Sequence, residues 1–126
     1  MKSPLLGLQG ALYTLLSASL TVYDRVPQDA EFPYVTIGHD TTIDWSAKNM
    51  SGQEVTTTVH TWSRYAGKKE CKETMDAILQ AVTNAMITIS DFNVVSCALD
   101  FSQVLEESDG ITCHGIQRFR FKIEEV

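Results

Sequence analysis

"QEVTTTVHTWSRYAGKKECKETMDAILQAV", Gln53 to Val82, changes its hydrophobic period part-way along. Up to Ser63 the chain is rich in β-branched residues and its side chains alternate. Val55, Thr57, Val59 and Thr61 share one side of an extended strand, and Thr56, Thr58, His60 and Trp62 share the other. After "RYAG" the apolar residues return at Cys71, Met75, Ile78, Leu79 and Val82. That spacing, i, i+4, i+7, i+8 and i+11, forms one stripe of a helix. On the opposite side Lys69 with Glu73 and Lys72 with Asp76 stand at i,i+4, where an ion pair is worth about 0.2–0.5 kcal/mol. A strand that hands over directly to an amphipathic helix implies a mixed fold in which each element buries one side against the other.

Working outward, "YVTIGHDTTIDW" (Tyr34 to Trp45) has strand composition, and "SAKNMSG" is turn chemistry leading into the quoted strand, so the two predict an antiparallel hairpin. Upstream, Pro27 and Pro33 push Val26 and Phe32 into extended geometry. Before them, "SPLLGLQGALYTLLSAS" predicts a helix: Ser3 caps it, Pro4 takes the first helical position, and Leu5, Leu8, Leu12, Leu15 and Leu16 recur at helical spacing. Gly7 and Gly10 either permit close approach of another backbone or are simply tolerated, and tolerance is the expected reading. At the other end, "ITISDFNVVSCALDFSQVLEESDGITCHGIQRFRFKIEEV" predicts a second hairpin. Val95, Cys97, Leu99 and Phe101 alternate inward against Ser96 and Asp100, and Phe119, Phe121 and Ile123 alternate against Arg118, Arg120 and Lys122. "SQVLEESDG" between them reads as a solvent-facing loop. The expectation is one α+β domain over residues 1–126, in the order α-β-β-α-β-β. It is a two-layer sandwich in which two helices lie on one face of a four-stranded antiparallel sheet.

Ten basic residues against sixteen acidic ones leave a net charge of −6, which disfavours tight binding to nucleic acid. Only Lys2, Arg25 and Lys48 lie before residue 64; the other basic residues fall in two clusters. The apolar stretch near the start is interrupted by Gln9, Tyr13, Thr14 and Ser17, so no membrane span is expected, nor a cleavable leader. Three cysteines without CxxC spacing argue against a disulfide framework and a zinc knuckle, and suggest a reducing compartment during synthesis.

Cys71 lies near a helix start with lysines around it, as a nucleophile would, yet it is in phase with Met75 and Ile78 and so reads as core. His39, His60 and His114, with Cys113 beside the last, show no HxH, HxxxH or HExxH spacing. With no GxSxG, Walker or GxGxxG element either, no enzyme, cofactor or metal is expected. Arg64, Lys68, Lys69 and Lys72 gather where a helix N-terminus is already positive. They are either a solvated helix start paired with Glu70, Glu73 and Asp76 or a contact for an acidic neighbour. Arg118, Arg120 and Lys122 form an outward stripe, with Glu106, Glu107 and Asp109 of the acidic loop as a mate on another copy.

Three segments, "VYDRVPQDAEFPYVTIG", "TTTVHTWSRYAGKKECKETMDAI" and "DGITCHGIQRFRFKIEE", together resemble a family of small tail-completion, or head-tail joining, proteins of long-tailed bacteriophages and gene transfer agents. Asp29 and Glu31 depart from the small-residue turn expected after "VPQ". The resemblance implies a tail-terminator-like fold and a ring of six copies at the head-proximal end of the tail tube, assembled in the host cytoplasm. It also implies contacts with the tail tube protein and the head-tail connector or neck proteins, with DNA passing through, and no enzymatic activity. Ring building needs two different patches per subunit. Trp62, Arg64 and Tyr65 are the first candidates and Trp45 the second, although Trp62 also suits a plain core position under the first helix. The alternatives are an assembly chaperone absent from the finished particle and a small metal- or thiol-dependent enzyme using Cys71, Cys113 and His114.

Overall fold

A computed structural model describes residues 2–126. Helix α1 runs from Leu5 to Ser17, followed by a short strand β1 (Val22–Tyr23). The hairpin β2 (Tyr34–Asp44) and β3 (Gly52–Ser63) comes next. Helix α2 (Lys69–Asn84) leads to β4 (Phe92–Glu106) and β5 (Cys113–Glu125). Pro4 stands just outside α1, its carbonyl accepting the Leu8 N–H at 2.9 Å. Ser3 Oγ accepts the Leu5 N–H at 3.3 Å, so serine and proline start the helix one position later than expected.

The strands form one sheet in the order β1-β2-β3-β5-β4. This corrects the expected four-stranded antiparallel sheet. The turn region after α1 supplies a fifth strand that pairs parallel to β2, Val22 opposite Val35, and makes the sheet mixed. Both long hairpins are present and join through β3 and β5. Strands β3 and β4 run in the same direction with β5 between them, so the chain must cross over the sheet, and α2 is that crossover.

Both helices cover one face. Leu8, Leu12 and Leu16 of α1 and Ile78 and Val82 of α2 pack on Val35, Ile37, Val55, Val59, Phe119, Phe121 and Ile123. Complete burial of side chains this size contributes about 1.5–3 kcal/mol each. Towards the start of α2 the core turns to sulfur: Cys71, Met75 and Cys113, with Val104 against them. Gly115 lies beneath this cluster, where a Cβ would come 2.5 Å from Met75 Sδ. Gly7 is likewise a close approach, since a Cβ there would come 2.5 Å from Ile89 Cγ2. Gly10 faces open space and is the one the helix merely tolerates.

The alternation expected in β4 is broken by two bulges, at Val94/Ser96 and at Leu99/Phe101. Each adds a residue opposite β5 and reverses which face the next side chain takes. Phe92, Val94, Cys97 and Leu99 therefore pack against the core. Val95 and Phe101, expected inward, are 50% and 42% exposed. The strand also continues to Glu106, which shortens the expected acidic loop to Glu107–Thr112.

Candidate functional site

Among the described residues no helix covers the second face of the sheet. Strand register aligns its side chains in rows, of which the first is Tyr34, Trp62, His114 and Leu105, and the next Thr36, His60, Ile116 and Gln103. Beyond them come Gly38, Thr58, Arg118 and Phe101, and then Thr41, Thr56, Arg120 and Ala98. One end of the face is thus aromatic and the other is basic.

At the aromatic end Trp62 stacks on His114 with ring centroids 3.8 Å apart and planes at 14°. His60 lies beside both, 5.0 Å from His114 and 6.0 Å from Trp62. Tyr34 meets Trp62 edge-on at 6.4 Å and also contacts Phe32 and Tyr23. The Trp62 Nε1–H donates to Thr36 Oγ1 at 3.2 Å. The alternative of Trp62 as core under α1 is therefore set aside: it lies half-buried on the sheet face away from the helices. His39 joins from a bulge in β2, where its φ of 63° turns the backbone and brings its ring 5.9 Å from His60. Tyr34, Thr36, His39, His60, Trp62 and His114, together with Asp24, Val26 and Gly38, line a groove of about 490 Å³.

Behind the groove runs a chain of hydrogen bonds. His60 Nδ1 lies 2.8 Å from His114 Nε2, and His114 Nδ1 lies 2.7 Å from Glu107 Oε1. Burial, then the neighbouring His114 and His39, push the His60 pKa down to about 4, so its ring is neutral at pH 7. Glu107, expected to reach a partner, is committed within the chain.

Several other expected contact residues also find internal partners. Arg64 lies over the Phe32 ring at 4.3 Å, donates from Nε to Thr112 Oγ1 at 3.1 Å, and approaches Asp109 at 3.7 Å. Asp109 accepts from the hydroxyl and N–H of Thr112 and from the N–H of Ile111. These bonds, with Arg64 nearby, hold its carboxyl down at about 2. At the basic end Arg118 donates to Asp100 at 3.1 Å and lies over Phe101, while Arg120 reaches Asp100 and Glu54. Lys122 lies over Trp45, 5.5 Å from the ring centroid, at the far end of the β2–β3 hairpin from Trp62. Tyr65 is 59% exposed and shares a shallow groove with Lys69, Glu70 and Glu73. Lys69 pairs with Glu73 at 3.7 Å, Lys68 precedes α2, and Asp76 accepts from Gln80 at 2.8 Å. Glu106 is exposed.

The residues suggested for chemistry are kept apart. Cys71 and Cys113 are buried on the helix side, where burial and the neighbouring Cys113 push the Cys71 thiol up to about 12. His60 and His114 lie on the other face, so the sheet separates each imidazole from the sulfurs. Among the described residues no three His, Cys, Asp or Glu side chains gather to hold a metal ion. Sequence reading grouped His60 with Trp62 but missed Tyr34, Thr36, His39 and His114 as their neighbours. Those come from other strands, and only register brings them together.

A family model described as "Tail completion protein gp17" matches residues 5–124 of the chain. Over 96 residues the chain is 30% identical to the tail completion protein gp17 of Bacillus phage SPP1, covering 76% of the chain and 71% of that protein. Its fold matches a chain in the structure of a native gene transfer agent particle with a TM-score of 0.88 at 22% identity, covering 98% of the chain and 99% of that one. The solved structure of bacteriophage SPP1 gp17 matches with a TM-score of 0.63 at 26% identity, over 92% and 88% of the two chains.

Proposed function

The chain belongs to the tail completion protein gp17 family, and from that premise we propose that it is a structural virion protein forming a ring of six copies at the head-proximal end of the tail tube. There it ends tube growth and presents the surface on which the filled head docks, touching the tail tube protein on one side and the connector or neck proteins on the other.

The observation that carries this reading is the sheet's unfinished state. One face is bare and rich in aromatic side chains, the residue types that anchor protein contacts. Both edges are also open. Among the described residues strand β4 is unpaired along its outer side, and β1 covers only Val35 and Thr36 of β2. Exposed edges are normally blunted by lysine, proline or bulges. Over its 15 residues, "FNVVSCALDFSQVLE", β4 has its two bulges but no lysine, arginine or proline. Two different open edges on opposite sides of one sheet suit a head-to-tail contact, the kind that closes into a ring. Trp62, Tyr65 and Trp45, with Lys68 and Glu106, are side chains left to face neighbours. A net charge of −6 lets DNA slide past such a ring without being held.

Electron microscopy of a lysate lacking this protein tests the reading. Overlong tails unattached to filled heads are the expected result, whereas tails of normal length beside tailless heads would leave only the joining role. Normal particles would end the proposal.

A further inference from the structure

The polarity of the groove in the bare face is fixed from behind. An ionised carboxylate only accepts hydrogen bonds, so His114 Nδ1, 2.7 Å from Glu107 Oε1, carries a proton. Across the 2.8 Å contact between the two rings, a lone pair on His114 Nε2 makes His60 Nδ1 the donor. That leaves the lone pair of His60 on Nε2, which has no hydrogen-bond partner among the described residues, on a ring that lines the groove. The Trp62 N–H is already used by Thr36. Around the groove, Asp24 supplies a carboxylate of which one oxygen accepts from Gln9 at 3.0 Å. Trp62 and Tyr34 supply electron-rich rings, which attract a nearby cation.

We propose that this groove receives a cationic side chain, an arginine or lysine, presented by the protein surface that docks on the bare face; the inference rests on reading that face as a docking surface. A guanidinium would donate to His60 Nε2 and to the Asp24 carboxylate while lying against Trp62. The titratable groups facing His60 are His39 from β2, His114 from β5, and Tyr34 and Asp24 across the groove, with Glu107 behind His114. A further proton on His60 turns its free nitrogen into a donor and adds positive charge. Affinity for a cation therefore falls as pH falls.

The test is an NMR titration of the full chain at pH 7 with ethylguanidinium chloride, and in parallel with sodium acetate at equal ionic strength. This reads cation binding on the free protein, so it can fail while ring assembly stands, and the reverse. Saturable shifts of the Trp62 indole and the His60 ring with ethylguanidinium but not acetate are expected, with histidine nitrogen shifts showing His60 protonated at Nδ1. Glu107→Lys, which reverses the order of donors, and His60→Phe, which removes the acceptor, should each weaken binding about fivefold or more. The proposal is overturned by preference for acetate, by no saturable shift with ethylguanidinium, by His60 protonated at Nε2 instead, or by unchanged affinity in a folded His60→Phe variant.

Discussion

Phe119 and Trp62 point to opposite faces of one sheet, and truncating each to alanine should separate folding from docking. Phe119 is fully buried beneath the helices, and emptying such a site costs about 3–5 kcal/mol. Unfolding entropy of about 2.1 cal/mol/K per residue, over 126 residues, gives about 0.26 kcal/mol/K. The melting temperature of Phe119→Ala should therefore fall by about 11–19 °C. Trp62→Ala loses the stack on His114 and the bond to Thr36, together about 1–2 kcal/mol. That corresponds to a fall of about 4–8 °C. Circular-dichroism melting of both proteins is set beside complementation of a null mutant by each. Phe119→Ala should lose particles because it lacks stable protein. Trp62→Ala should remain folded at growth temperature and still lower the particle yield by roughly tenfold or more, as removal of an anchor side chain does. If Trp62→Ala melts as low as Phe119→Ala, the bare face is part of the core. If its particle yield is normal, the face is not a docking surface.

His60 has a folded-state pKa of about 4 against an ordinary 6.5, so the folded chain binds fewer protons than the unfolded one. Its contribution to stability is complete above pH 6.5 and is lost as pH falls towards 4. Urea midpoints of wild type and His60→Phe should therefore differ in pH dependence across that window, by about 1–2 kcal/mol once solvent screening of the half-exposed ring is allowed for; parallel curves would remove the effect. Gly10→Ala should raise the melting temperature through helix propensity worth up to about 1 kcal/mol. Gly7→Ala, with Ile89 in the way, should lower it by about as much, because overpacking costs about 1–3 kcal/mol; equal responses would contradict the close contact. Asp109→Ala should speed amide hydrogen exchange at Ile111 and Thr112, whose N–H groups it accepts from, while protection in α2 stays unchanged. Unchanged exchange at both amides would show that the loop does not depend on Asp109.

Local periodicity made the helices legible: Cys71, Met75, Ile78 and Val82 face the core as their spacing requires, while in β3 it separated two rows without telling which is inner. It failed where register slips. In β4 a strict alternation puts Val95 and Phe101 inside, and the two bulges put them outside. Strand β1 was invisible because two residues carry no period, and its pairing depends on β2 rather than on its own composition. The same limit governs the site. His60 and Trp62 are two apart on one strand, so alternation grouped them. His114 and Tyr34 arrive from β5 and β2, and Glu107 arrives from a loop, through contacts that only the assembled sheet defines. Arg118 and Arg120 were readable as an outward stripe. Their partner Asp100 was expected outward as well, but its pairing follows from the bulge that lifts it out of the ladder.

Cryo-electron microscopy of purified particles offers the most direct measurement. Density for a ring of this chain at the head-proximal end of the tail is expected, with Trp62, His60 and His114 covered by a neighbouring protein. A ring whose bare sheet face points into open solvent, or infectious particles with no copy of this chain, would contradict a protein that works by docking that face.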